Sequence, residues 1–282
     1  MMDQLARLPH RGVIALTGPD RVAFLQGLVS NDVDQVAPGR AVWSALLTQQ
    51  GRYLAEFFIL TDADRLLLDV PARAIADLVK RLSRFRLRSA VQIADCSMDF
   101  SVYAAWGDAR APDAAVISAP DPRLAEAGWR LLARKPLGDA LADDEAYLAH
   151  RLALGLPDDA DLEPETTLLM EAGFDELHGI AWEKGCYMGQ ELTARTRYRG
   201  LVKKRLIPVD GAQTLPASGP ITQAGREVGV IRTSLGTRAM AMLRLDALDQ
   251  PLLAGDIPVK PNPPGWMHLP SLLETSHQNG AV

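Results

Sequence analysis

Lys184 and Cys186, two residues apart, are the pair in this sequence best suited to do chemistry. A cysteine attacks electrophiles or binds metal as its thiolate, and a nearby cation or helix start favours that form. Both features are expected here. Gly185 and Gly189 flank Cys186, Tyr187 and Met188, so the backbone can turn left-handed or approach a neighbour closely. From Gln190 the pattern becomes helical. Glu191 and Arg195 stand four apart and can pair on one face, while Leu192 and Ala194 favour helix. The plainer alternative is a buried structural cysteine in a glycine turn, since free cysteine is among the most buried residue types.

Other groups of residues could bind anions. Lys80, Arg81, Arg84, Arg86 and Arg88 fall within nine residues, and Arg195, Arg197, Arg199, Lys203, Lys204 and Arg205 within eleven. Each run is either a solvated helix end favoured by the dipole or a grip for carboxylates and phosphates, which suits arginine. Tyr198 is the only aromatic in the second run, so a base-stacking platform has little support and no nucleic-acid partner is expected. Cys96 and Cys186 lie 90 apart without a CxxC, and the five histidines are scattered. No disulfide framework, zinc site or stably bound metal is expected.

These side chains must be positioned by mixed elements. Residues 12–16 (GVIAL) read as a strand, and Asp20 can cap a helix that Asn31 and Asp32 end. Residues 41–47 and 52–60 form a hairpin around 48–51, and 66–70 a third strand. Pro71 opens a helix running to about Leu82. Strands follow at 91–94, 100–105 and 129–133, with loop and short strand over 111–122. A helix over 143–154 stops at Gly155 and Pro157. Asp175 and Glu176 read as solvated turn carboxylates. Hairpins mixed with helices indicate an α+β fold, not a doubly wound parallel sheet. Evenly spaced short strands at 206–209, 225–232, 239–245 and 257–259 indicate a small C-terminal β-barrel. The chain divides into a composite domain over 1–204, the barrel over 205–264 and a loose tail over 265–282.

At 282 residues, 48% hydrophobic and 23% charged, with net charge −5, the chain is an ordinary globular one and no general nucleic-acid coat. No apolar run is long enough to cross a membrane, and no membrane partner is expected. Residues 1–12 lack the look of a signal or transit peptide, so a cytoplasmic monomer is expected.

The words Lys184-Gly185-Cys186-Tyr187, Gly189-Gln190-Glu191, Arg195 and Tyr198-Arg199-Gly200 resemble the signature of the YgfZ family of folate-binding proteins. That family includes the mitochondrial factor needed for maturation of iron–sulfur enzymes. The similarity covers about residues 10–260, and LTGPDRVAFLQGLVSND resembles the family's opening. It implies the glycine-cleavage T-protein fold and tetrahydrofolate, polyglutamylated or not, as the ligand. It further implies iron–sulfur client enzymes or assembly factors as partners. On that resemblance Cys186 and Lys184 are the reactive pair. Tyr187, Gln190, Glu191, Arg195, Tyr198, Arg199, Asn31, Asp32 and Arg88 are candidates for holding folate. The alternative is a folate-dependent aminomethyltransferase. Those enzymes carry R-x-E-A-G where this chain has Arg151-Leu152-Ala153-Leu154-Gly155, so Ala153 replaces the pteridine-holding carboxylate.

Overall fold

The structure, a computed structural model, describes residues 4–62, 64–107, 116–137, 142–200 and 202–269. In chain order the elements are β1 (Gln4–Arg7), β2 (Arg11–Thr17), α1 (Arg21–Gln26), β3 (Val42–Leu47), β4 (Tyr53–Thr61) and β5 (Leu66–Pro71). Then come α2 (Ile75–Phe85), β6 (Gln92–Asp95), β7 (Ser101–Trp106), β8 (Val116–Pro120), β9 (Trp129–Ala133) and α3 (Asp144–Leu154). After α4 (Gln190–Tyr198) follow β10 (Lys204–Gly211), β11 (Gly219–Gln223), β12 (Arg226–Leu235), β13 (Arg238–Arg244), β14 (Leu252–Ala254) and β15 (Ile257–Pro261).

Three β-layers result. One sheet has the order β3-β4-β5-β2-β6, a second β1-β7-β9-β8, and the last six strands close into a barrel. The first sheet is apolar on both faces because both faces are covered. Successive strand residues point opposite ways: Ile14, Leu16, Leu68 and Val70 pack under α1 and α2 with Ile75, Leu78 and Leu82. Val13, Ala15 and Leu67 face the second sheet with Val102, Ala104 and Leu132. That double burial explains why the segments read as continuous apolar runs.

Helix α3 is bounded as its sequence requires: the Asp143 carboxylate accepts the Ala146 N–H at 2.8 Å, and Gly155 closes the helix in the left-handed region. Asp20 behaves otherwise. It precedes α1 but makes no side-chain cap, and its carboxylate instead accepts the Ala90 N–H at 2.7 Å. Helix α1 stops at Gln26, well before Asn31 and Asp32. Asp175 and Glu176 are half-buried and engaged rather than free turn carboxylates. Asp175 accepts the Trp182 indole N–H at 2.6 Å and pairs with Arg197, and Glu176 pairs with Arg205. Strands β1, β11 and β14, each of five residues or fewer, were not anticipated. The packed chain also runs past 265: Met267 lies in the barrel core, and the Trp266 indole donates to the Leu154 carbonyl at 2.9 Å. The rest of the expected tail, 270–282, lies outside the described residues.

Charged residues occupy inward positions between the two sheets. Arg11 on β2 donates to Glu56 on β4 at 2.6 Å and to Asp69 on β5 at 2.5 Å. The Trp43 indole donates to the other Glu56 oxygen at 2.8 Å. From the second sheet, Arg130 donates to the Tyr147 hydroxyl at 2.9 Å and lies 3.5 Å from Asp69. Arg123 grips Asp121 through two nitrogens, at 2.9 and 2.7 Å. Three guanidiniums surround the Phe58 ring, Arg130 at 4.2 Å, Arg123 at 4.8 Å and Arg11 at 5.6 Å. Burial raises the Glu56 carboxyl against the opposing pull of Arg11. Burial alone would raise Asp121 too, but Arg123 outweighs it and holds that carboxyl below its ordinary range.

Candidate functional site

The signature begins with an anchor. All three protons of the Lys184 ammonium go to main-chain carbonyls around the end of α1: Gln26 at 2.8 Å, Val29 at 2.8 Å and Asn31 at 2.7 Å. Burial pushes Lys184 down to about 8, with Asp32 and Asp34 pulling the other way. Lys184 therefore caps orphan carbonyls and ties the signature to α1. Its protons are committed there, a structural task that the sequence did not reveal. Its charge also lies 5.2 Å from the Tyr187 ring centre.

Tyr187 is the second anchor. It is 7% exposed and belongs to the core shared by the two sheets, and burial raises its phenol to about 12. Its N–H faces the Gln190 side-chain oxygen at 3.4 Å, and the Gln190 N–H donates to the Tyr187 carbonyl at 3.2 Å. Between Lys184 and Tyr187, Cys186 is exposed. A free thiol thus stands on a short segment fixed on both sides.

Of the two flanking glycines only one needs to be glycine. Gly189 has φ +83, and a Cβ there would lie 2.7 Å from the Thr48 carbonyl oxygen in the β3–β4 turn. Gly185 has an ordinary φ and open space around it, so left-handed geometry was wrongly expected of it. Replacing Gly189 by alanine is expected to destabilise the fold by about 2 kcal/mol or more, because backbone must move on both sides. Urea unfolding measures this, and Gly185→Ala, expected to change little, is the control.

Helix α4 buries Thr193 and Thr196, whose hydroxyls donate to the carbonyls four residues back at 3.0 and 2.8 Å. Glu191, Arg195, Tyr198 and Arg199 are exposed. The expected Glu191–Arg195 pair does not form among the described ion pairs, and Tyr198 is 77% exposed. Half of the second basic run is consumed internally. Arg197 pairs with Asp175 and stacks over Trp182 at 4.2 Å, Lys204 lies 3.9 Å from Glu171, and Arg205 grips Glu176.

Asn31 and Asp32 hold the same region together. The Asn31 amide donates to the carbonyls of Trp43 (2.8 Å) and His178 (2.6 Å). Asp32 accepts from Gln26 at 2.7 Å and Gln35 at 3.1 Å. Slight burial opposes ionisation of Asp32, but these hydrogen bonds win and lower its carboxyl. Asn31, Asp32 and Lys184 line one hollow of about 590 Å³ together with Trp182 and Arg40. Arg88 lies apart, in a hollow with Asp20, Phe85 and Leu87.

A different pocket lies between the end of β5, helix α3 and barrel strand β12. It measures about 690 Å³ and is lined by Pro71 and Arg73 beside β5, by Tyr147, Leu148 and Arg151 of α3, by Asp158 and Asp159, and by Thr233 and Leu235 of β12. None of the eleven residues singled out from the sequence lines it. Its donor set fits a reduced folate ring. Tyr147, Leu148 and Leu235 provide apolar walls, and Asp158 and Asp159 could accept from the ring's N–H groups. The Thr233 hydroxyl oxygen is buried without a partner. Arg73 is the exposed cation at the mouth, already paired with Asp159. Arg151 could have been suspected from its place in a buried helix end; Thr233 carried no signal.

His10 also lines this pocket. Burial, reinforced by Arg11 and Arg130 and opposed by Asp158 and Asp69, lowers its imidazole below 6.5. Folded protein then binds fewer protons than unfolded chain, so stability present above that value is lost as the pH falls through the folded pKa. Urea midpoints should drop as the pH falls below 6.5, and the drop should be smaller in His10→Gln.

Comparison with known proteins locates this geometry in a family. A model of the CAF17 C-terminal β-barrel domain matches residues 203–269. The iron–sulfur cluster assembly factor IBA57 homologue, mitochondrial, of Mycosarcoma maydis is 39% identical over 228 residues, covering 73% of this chain and 57% of that protein. The human mitochondrial iron–sulfur cluster assembly factor IBA57 is 32% identical over 281 residues, covering 87% of this chain and 79% of the human one. The crystal structure of glycine cleavage system aminomethyltransferase T from Bartonella henselae superposes with a TM-score of 0.74 at 16% identity, over 95% of this chain and 87% of that one. The fold is therefore that of the glycine-cleavage T-protein. The relatives are mitochondrial by name, which corrects the expectation of a cytoplasmic protein. Compartment is set by removable targeting segments, and the folded domain carries no trace of it.

Proposed function

Because the chain belongs to the IBA57 family of iron–sulfur cluster assembly factors, we propose that it supports assembly or repair of clusters in client enzymes. Cys186 is its working thiol and reduced folate its small-molecule ligand. One observation carries the reading: Cys186 is exposed, while its neighbours Lys184 and Tyr187 are fastened to α1 and to the core. A structural cysteine would be placed the other way round. Clusters commonly take four ligands, and Cys186 offers one, so the others come from the protein or thiol that it meets. The cluster is cargo passing over this thiol.

Folate occupies the pocket between β5, α3 and β12 in this proposal, with Tyr147 and Leu235 against the ring and Arg73 toward the glutamate carboxylates. Tetrahydrofolate, when bound, carries one-carbon units. The residues around it bind and orient. Ala153, exposed on α3, supplies no carboxylate, which speaks against aminomethyl transfer.

Anaerobic calorimetric titration with tetrahydrofolate is the test. Saturable heat is expected from the wild type and much weaker binding from Leu235→Trp, whose indole intrudes on the ring's place in the pocket. Absence of heat from the wild type sinks the folate assignment and leaves the role of Cys186 to be judged by itself.

A further inference from the structure

We propose that the tip over residues 84–88, just past α2, is a docking surface for an anionic lipid bilayer. Residues 83–88 are exposed without a break. Leu87 is 88% exposed and Phe85 40%. Single exposed apolar residues are common, but Leu87 also has φ +43. A branched side chain is disfavoured in the left-handed region. An apolar residue held in that conformation and kept in water gains nothing for the fold by either property.

Arginines alternate with these two apolar residues. Arg84, Arg86 and Arg88 make no ion pair among the described residues. Arg81, one turn earlier, is paired with both Asp77 and Glu165. The acid that shares a hollow with Arg88 is Asp20, whose carboxylate accepts the Ala90 N–H. Three guanidiniums without an ion-pair partner among the described residues therefore alternate with two exposed apolar residues on a chain of net charge −5. An exposed tip of this kind needs no matching pocket on a bilayer. The apolar residues enter the headgroup boundary, and the arginines reach the phosphates. No helix of the described residues is long and apolar enough to cross a membrane. The contact is peripheral, which the expectation of no membrane partner, resting on the lack of a span, did not address.

Co-sedimentation with vesicles tests this. The full chain should bind vesicles containing phosphatidylglycerol at low salt, ignore pure phosphatidylcholine, and be released as salt is raised. The double variant Arg86→Glu, Arg88→Glu should lower partitioning at least about tenfold. Leu87→Gly relieves the positive φ, so its thermal midpoint should be equal or higher, yet its binding should fall roughly fivefold. No binding of the wild type to anionic vesicles at low salt overturns the proposal. So does binding that both variants retain. Capture of the tip by a poly-glutamate peptide, with no vesicle binding, would assign it to an acidic protein partner instead.

Discussion

Cells lacking their own copy of this factor and given Cys186→Ser should show client iron–sulfur enzyme activity no higher than cells given nothing. A serine hydroxyl does not ionise at neutral pH and is a poor ligand for iron, so the substitution removes the function of the thiol while keeping its size. The purified variant should unfold at the same temperature as wild type, because Cys186 is exposed and contributes no core packing. Cys96→Ser is the control. Cys96 is partly buried against the main core, and burial raises its thiol, so it is the poorer nucleophile and its loss should leave client activity intact. Full activity of Cys186→Ser would end the proposal for this residue, whatever the folate titration gives.

The largest loss of stability is expected from Arg11→Met. The guanidinium joins β2 to Glu56 on β4 and to both the carboxylate and the carbonyl of Asp69 on β5, all of them buried. Removing one partner of a buried ionic group leaves the others uncompensated and costs about 3–5 kcal/mol. Thermal midpoints should fall by about 5–8 °C. Burial already raises Glu56. Without Arg11 it should take up a proton more readily, so the deficit should shrink as the pH is lowered. Glu56→Gln added to Arg11→Met should recover part of the loss for the same reason. Urea unfolding across pH would reveal both effects. A loss under about 1 kcal/mol would mean that water or rearrangement replaces the arginine.

The elements were legible where local rules decide them. Asp143 and Gly155 bracket α3 through capping and left-handed closure, and the strands of the first sheet are visible as apolar runs. Asp20 misled because an aspartate before a helix has two uses, and tertiary contact with Ala90 claimed it. Sequence places Lys184 two residues from Cys186, but its contacts are tertiary: its three donors go to the carbonyls of Gln26, Val29 and Asn31, at and beyond the end of α1.

By itself the sequence determined the α+β class, the rhythm of four of the six barrel strands and the single glycine-flanked thiol, because these follow from periodicity, turn residues and residue type. Only the tertiary structure decided which residues share a site. Folding brought Pro71, Tyr147 and Thr233 to one pocket and left Arg88, Asn31 and Tyr198 on separate surfaces. It also gathered Arg11, Glu56, Asp69, Asp121, Arg123 and Arg130 between two sheets. Each of these looks like an ordinary surface charge in the sequence. Their mutual pairing at low dielectric is a property of contacts far apart in the chain, and no local pattern records it.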